Sequence, residues 1–246
     1  MNIYINNDLS VGECFFSSPK YKPFIGISVG SKPPSLDKAI NILKWALKSD
    51  SNIIPILIAD EIAHINYKGL GYSTGKVINQ VTNAKEKQLN VWESAIKHFS
   101  NNDKLKFKLT YWNEIVSPTF QLQQNIIRED FSKETELYEA IISLVEVFIK
   151  SNGKTVTHKR CVDMSEYVIQ ELPLLLFGME LENNKYQMML YPTYYSSEML
   201  NMIAKIRRKS IFSDLLTKLI AIEQTNFNKI IQMIVSDNDV NKHSLN

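Results

Sequence analysis

Cysteine and long apolar runs are both scarce in this sequence. The 246 residues include two cysteines, Cys14 and Cys161, which are too few for a disulfide framework and predict free thiols. The longest apolar stretch, around Leu172 to Met179, is interrupted by Pro173 and is far shorter than the roughly 20 residues that a membrane helix needs. The N-terminus lacks the basic start and the continuous apolar run of a secretory signal. We therefore expect a cytoplasmic protein with no membrane partner.

Signatures of metal and nucleotide sites are missing as well. The sequence contains no Walker-type G-x-x-x-x-G-K-[ST], no C-x-x-C and no H-E-x-x-H. The formal net charge of +2 does not by itself indicate nucleic acid, so a nucleic-acid surface would require clustered basic residues. We expect no cofactor and no metal.

Short apolar segments alternate with amphipathic helical patterns along the chain. The strand patterns lie at 23–29, 53–58, 105–112 and 186–191. The helical patterns lie at about 35–48, 75–99, 118–129, 134–151, 160–171 and 195–236. Pro173 sets the end of the fifth helix, because it disfavours helical geometry at Leu172. This order predicts one Rossmann-like α/β domain over residues 1–246, with a central, mainly parallel sheet flanked by helices and a frayed tail from about 237 to 246.

A candidate nucleophile ends the first predicted strand. The segment Gly26-Ile27-Ser28-Val29-Gly30 fits the G-x-S-x-G pattern of a serine at a strand-to-helix turn. Ligands of open α/β sheets bind beyond the carboxyl ends of the strands, which is where Ser28 is expected. The α/β-hydrolases share this pattern, but they normally have several strands before the serine, and the stretch before Ser28 is too short for them. A turn without chemistry is the alternative.

Three further stretches give the serine a context. Tyr167 and Glu171 are four residues apart, so one helix face presents a phenol and a carboxylate together. Leu190-Tyr191-Pro192 places a tyrosine at the end of a strand, and Ser117-Pro118-Thr119-Phe120 opens a helix. With the G-I-S-V-G-S turn, and with Trp45 in the first helix, these stretches resemble the cyclodipeptide synthases. Members of that family join the amino acids of two aminoacyl-tRNAs into a diketopiperazine. The resemblance covers about residues 20 to 210.

The resemblance implies a role for each of these residues. Ser28 would attack the ester of a first aminoacyl-tRNA to give an aminoacyl-enzyme, and a second aminoacyl-tRNA would extend it to a dipeptidyl-enzyme. Glu171 and Tyr167 would bind the α-ammonium group. Tyr191 would relay a proton during ring closure, and Gly26 would let the substrate approach closely. Taken singly, the same positions are also consistent with a turn serine, a polar helix face and a strand-end tyrosine.

The family divides at two positions, which here are Ser31, three residues after the serine, and Pro192, after the late tyrosine. These residues resemble the branch that lacks asparagine at the first position and has tyrosine-proline at the second. The family's first side-chain pocket carries over onto four mostly apolar residues, which favour apolar amino acids but also suit an ordinary core. They are Tyr111, Leu144, Leu174 and Met189.

The resemblance also implies a fold like the catalytic domains of class I tyrosyl- and tryptophanyl-tRNA synthetases. The ATP-binding signatures of those enzymes, His-x-x-His and Lys-Met-Ser-Lys-Ser, are absent. This absence favours the use of tRNA that is already charged.

Two aminoacyl-tRNAs are the expected partners, and no obligate protein partner is predicted. Family members often carry a strongly basic long helix, but here the lysines of that helix are diluted by Glu86 and Glu93. Clustered basic side chains contact phosphates in proteins that bind nucleic acids, although a solvated run of charges is the alternative here. The candidate tRNA contacts are Lys85, Lys87, Lys205, Arg207, Arg208 and Lys209.

Two other functions stay open on the residues alone. A serine esterase or thioesterase of α/β type would need a histidine base, for which His158 and His243 are the candidates. A non-catalytic RNA-binding domain would use the basic clusters, and it would not need Ser28.

Overall fold

The computed structural model describes residues 21–192, 197–207, 217–219 and 229–232. Its strands are Pro23–Ser28 (β1), Ile54–Ala59 (β2), Phe107–Tyr111 (β3), Met179–Leu181 (β4), Asn184–Tyr186 (β5), Met188–Tyr191 (β6) and Lys229–Gln232 (β7). Its helices are Leu36–Ala46 (α1), Asp60–Gly69 (α2), Thr74–Lys97 (α3), Asn101–Lys104 (α4), Trp112–Ile115 (α5), Pro118–Phe131 (α6), Glu136–Ser151 (α7), His158–Phe177 (α8) and Ser197–Arg207 (α9). None of the helices in these ranges is long and apolar enough to cross a membrane.

Five strands form one sheet in the order β3-β2-β1-β6-β7, and each neighbouring pair is parallel. β4 and β5 form a separate antiparallel hairpin. The central parallel sheet flanked by helices confirms the predicted Rossmann-like α/β fold. Because parallel strands end at the same edge, the residues that follow β1, β2, β3 and β6 meet there.

Alternation along the strands assigns their side chains to two faces of the sheet. Phe24, Leu57 and Met189 belong to an apolar cluster with residues of α6, α7 and α8. The neighbouring residues Ile25 and Leu190 belong to a second cluster, with residues of α1 and α3. Ser28 is four residues after Phe24 and Tyr191 is two after Met189, so both have the parity of the α8 face.

The expected end of α8 is wrong. The helix was predicted to stop near residue 171, but it continues through Pro173 to Phe177. Pro173 has no N–H to donate to the carbonyl of Ile169. All residues from 172 to 177 are buried, however, and their packing outweighs that loss. As a result Leu174 lies one turn beyond Glu171 on the same helix.

The helical prediction for 195–236 is confirmed over α9 and is wrong at residues 229–232. Those residues form β7, which pairs with β6 through Met189 and Ile230. The β-branched pair Ile230 and Ile231 suits a strand, and the partner strand decides between the two structures. Much of the remaining range, and the predicted tail at 237–246, lie outside the described residues.

Candidate active site

Ser28 is the last residue of β1, and the chain turns sharply after it. The Ser31 backbone N–H donates to the Ser28 carbonyl at 3.1 Å, and the Ser31 hydroxyl donates to the same oxygen at 2.7 Å. Ser28 is partly exposed. The nucleophile turn, residues 28–31, therefore presents the Ser28 side chain at the carboxyl edge of the sheet, as the sequence predicted.

Ser28, Glu171 and Tyr191 all lie near Tyr167. The Tyr167 side chain is hydrogen-bonded with the Ser28 side chain. Burial raises the pKa of the Tyr167 phenol well above its ordinary value, and the nearby Glu171 and Tyr191 raise it further, while the Ser28 hydrogen bond opposes them. The structure thus brings together all four predicted catalytic residues, and Tyr167 is a neutral phenol at neutral pH.

Glu171 is 6% exposed, which is rare for a carboxylate. Its helix is fixed next to the site by an ion pair between α6 and α8. Arg128 Nη2 lies 2.6 Å from Glu166 Oε1, and Arg128 Nε lies 3.2 Å from Glu166 Oε2. The Glu166 hydrogen bond raises the pKa of Arg128. Glu166, the acidic partner, directly precedes Tyr167. The sequence did not reveal this ion pair, because its two residues lie on different helices.

The four predicted pocket residues lie on two sides of the sheet. Leu144, Leu174 and Met189 all pack in the apolar cluster on the α8 face. Tyr111 instead packs against the cluster on the α3 face, where the Lys85 ammonium lies 4.2 Å from its ring centre. Three of the four residues therefore lie on the α8 side of the sheet, and Tyr111 lies on the α3 side.

Gly26 lies beside the pocket, on the same face as Ser28. An added Cβ at Gly26 would stand 2.8 Å from Met189 Sδ and 3.8 Å from Tyr191 Cδ2. The missing side chain thus lets Met189 and Tyr191 pack across β1. Pro192 directly follows Tyr191 and is buried.

The predicted tRNA contacts differ in their surroundings. Lys85 Nζ pairs with Asp60 Oδ2 at 2.6 Å, so its charge is compensated within the fold. Lys87 on α3 and Lys205 on α9 are exposed. Arg207 ends α9, whereas Arg208 and Lys209 lie outside the described residues. Asp60 was missed by sequence reasoning, although it directly follows β2 at the edge where functional residues are expected.

In the described part of the chain, His158 and His64 contact groups other than Ser28. His158 begins α8 nine residues before Tyr167, which is about 13 Å along a helix axis. Its Nδ1 lies 3.4 Å from the Tyr138 hydroxyl. His64 Nδ1 lies 3.0 Å from the Glu61 carbonyl oxygen. His243 lies outside the described residues.

The raised pKa of Tyr167 predicts a pH-dependent contribution to stability. Below its ordinary pKa of 10.0 the phenol is protonated in both states and contributes no pH dependence. Above that value the unfolded chain loses the proton while the folded chain keeps it. The free energy of unfolding then falls by about 1.4 kcal/mol per pH unit for this group.

Urea unfolding should therefore show the parent losing more stability between pH 8 and pH 11 than Tyr167→Phe. Tyr21→Phe, at an exposed tyrosine, should behave like the parent, and an equal loss in Tyr167→Phe would contradict the assignment.

Comparison with known proteins gives the fold and the family. No curated protein sequence matches the chain. It is similar to a cyclodipeptide synthase structure from Staphylococcus haemolyticus, with 18% identity over 89% of this chain and 92% of that one and a TM-score of 0.60. A Mycobacterium tuberculosis structure, described as relating cyclodipeptide synthetases to type I tRNA synthetases, shares 14% identity over 73% of this chain and 76% of that one, with a TM-score of 0.57. A cyclodipeptide synthase from Candidatus Glomeribacter gigasporarum bound to Phe-tRNAPhe shares 16% identity over 90% and 91%, with a TM-score of 0.52. The family model for cyclodipeptide synthase matches residues 22–208, which is most of the sequence and includes Ser28, Tyr167, Glu171 and Tyr191, and the chain therefore belongs to the cyclodipeptide synthase family.

Proposed function

We propose that this protein joins the amino acids of two aminoacyl-tRNAs into a cyclic dipeptide by acyl transfer through Ser28. The observation that carries the proposal is the contact of the Ser28 side chain with Tyr167, beside the buried Glu171 and Tyr191. Within the family match, this arrangement supplies a nucleophile, an ammonium-binding carboxylate and two phenols at one edge of the sheet.

In the first step, the Ser28 hydroxyl oxygen attacks the ester carbonyl carbon of an aminoacyl-tRNA. The bond from that carbon to the ribose oxygen breaks, and the ribose oxygen takes up the proton that Ser28 gives up. The products are an aminoacyl-Ser28 ester and free tRNA. One ester replaces another, so the reaction does not require the strong base that an unactivated amide would need. Tyr167 hydrogen-bonds to the reacting oxygen as a neutral phenol.

Glu171 gives the site its preference for an amino acid. A carboxylate binds an α-ammonium through a charge-assisted hydrogen bond, and its burial strengthens that bond relative to one in water. Tyr167 lies one turn earlier on α8, so the two side chains approach the same group. This pair holds the aminoacyl chain while its carbonyl remains on Ser28.

In the second step, the α-ammonium of aminoacyl-Ser28 first gives one proton to the Glu171 carboxylate. The resulting amine attacks the ester carbonyl carbon of the second aminoacyl-tRNA, and the bond from that carbon to the ribose oxygen breaks. The ribose oxygen takes up the second proton that the amine loses, and the second tRNA leaves. The dipeptide stays on Ser28, with a new free amine at its far end. That amine then attacks the Ser28 ester, which closes the ring and returns the proton to Ser28. Tyr191 is placed beside Tyr167 and relays this proton.

The surroundings of the site suggest how the substrates bind. Leu144, Leu174 and Met189 belong to the apolar surroundings of the α8 face, which favours apolar amino acid side chains. The exposed Lys87 and Lys205 are available for tRNA phosphates. The Phe-tRNAPhe bound to one structural relative supports an aminoacyl-tRNA substrate. Ser31 and Pro192 support assignment to the tyrosine-proline branch of the family, and the proposed aminoacyl-tRNA substrates favour action in the cytoplasm.

The function is tested by expressing the protein in a bacterial host and analysing the medium by mass spectrometry. A cyclic dipeptide that is absent from the host alone is expected, and its mass identifies the two amino acids. The purified protein should make the same product from two charged tRNAs. Hydrolysis of small activated esters without any cyclic product would instead support the esterase alternative.

A further inference from the structure

Gln88 is a buried polar residue of α3 that contacts the nucleophile turn. It is 1% exposed. Its Nε2 lies 3.0 Å from the Ser31 carbonyl oxygen, 3.3 Å from the Ser28 carbonyl oxygen and 3.4 Å from Ser31 Oγ. One side-chain amide therefore donates to both ends of the turn, from a helix about 60 residues further along the chain.

These contacts converge on the backbone of the nucleophile itself. The Ser28 carbonyl accepts from the Ser31 N–H, from the Ser31 hydroxyl and from Gln88 Nε2. Fixing this carbonyl fixes the peptide plane that follows Ser28, and with it the direction in which the Ser28 side chain leaves the strand.

α3 is itself anchored one turn earlier, at the neighbouring strand. Lys85 is three residues before Gln88, on the same side of the helix, and it pairs with Asp60 at the end of β2. Ala59, which precedes Asp60, is the register partner of Ser28. Thus α3 contacts two adjacent strand ends through two side chains, and the position of the turn depends on that helix.

We propose that Gln88 is a positioning residue that holds the nucleophile turn so that the Ser28 hydroxyl meets Tyr167. This role rests on the proposed function of Ser28. It requires a donor, because the amide faces three acceptor oxygens. A carboxylate at residue 88 would repel them, and an apolar side chain of similar length would leave them without this partner.

The test compares Gln88→Met and Gln88→Glu with the parent. With charged tRNA in excess, the rate of aminoacyl-Ser28 formation, followed by intact mass, should fall about 10- to 100-fold, because a displaced reacting atom costs about that much. The affinity for charged tRNA should stay within about twofold, since the Gln88 side chain is buried and does not reach the solvent. Gln88→Glu should be the slower variant.

Hydrogen exchange provides a readout that does not depend on activity. The Ser31 amide, which donates to Ser28, should exchange about tenfold faster in Gln88→Met than in the parent, because the turn opens more often. Gln124→Met is the matched control. Gln124 is 8% exposed and donates to the Gln170 carbonyl at 3.2 Å. This variant also loses a buried amide, and it should leave the Ser31 exchange rate unchanged.

The outcomes separate the positioning role from the reaction. Parent-like acylation or parent-like Ser31 exchange in Gln88→Met would overturn the role of Gln88. If the parent accepts no aminoacyl group from charged tRNA, the proposed function fails. The Ser31 exchange rate then decides by itself whether Gln88 holds the turn.

Discussion

Ser28→Ala is expected to abolish cyclic dipeptide formation, with a loss on the order of 10⁴-fold or more, as for other enzymes that lose a covalent nucleophile. Alanine has no oxygen on which the first aminoacyl group could be held, so neither the aminoacyl-enzyme nor the dipeptidyl-enzyme forms. The substitution should leave the fold intact, because Ser28 is partly exposed at a strand end. The measurements are product mass spectrometry and the intact mass of the protein after incubation with charged tRNA.

A second serine supplies the control for this variant. Ser49 is also partly buried, and its hydroxyl donates to the Ala46 carbonyl at 2.7 Å, at the end of α1. Ser49→Ala should make product at the parent rate. If Ser28→Ala makes product as fast as Ser49→Ala does, Ser28 is not the nucleophile, and the covalent mechanism is wrong even if the product is a cyclic dipeptide.

The central site could be predicted because its parts follow from local patterns. The apolar run that ends at Ser28 is a strand in any α/β sheet, and the spacing of Tyr167 and Glu171 places them together on any helix. A parallel sheet then brings the strand ends to one edge. The sheet face that carries Ser28 and Tyr191 also follows from strand alternation, because both residues have the parity of the residues that pack against α8.

The supporting contacts could not be predicted, because they join residues whose distance apart depends on the whole fold. Gln88 looks like a solvent-exposed residue of a polar helix until α3 is packed beside the nucleophile turn. Lys85 looks like a phosphate contact until Asp60 is placed next to it. The face on which Tyr111 lies could be assigned only from the strand register, because its pairing with Ile58 puts it on the face opposite Ser28. In each case tertiary packing determined the environment of a residue that the local pattern leaves open.

Gly178→Ala is expected to lower the free energy of unfolding by about 4 kcal/mol or more. Gly178 ends α8 with φ +84° and ψ −154°, a conformation essentially restricted to glycine. An added Cβ would also overlap the backbone carbonyl oxygen of Tyr186, which is not a flexible side-chain end that could move away. Urea unfolding followed by fluorescence measures the loss, and a parent-like midpoint would contradict the prediction.

Gly153→Ala is the control for this variant. Gly153 also has a positive φ, of +65°, but no neighbouring atom would lie within 4 Å of an added Cβ. It should cost only about 1 kcal/mol, the ordinary penalty for a left-handed residue. The excess at Gly178 then combines its costlier backbone conformation with the close seating of α8 against the hairpin. That seating matters for the site, because β4 and β5 lead directly from α8, which carries Tyr167 and Glu171, to β6, which carries Tyr191. A Gly178→Ala protein that still folds should therefore lose product formation more than Gly153→Ala does, since its catalytic side chains no longer share one fixed frame.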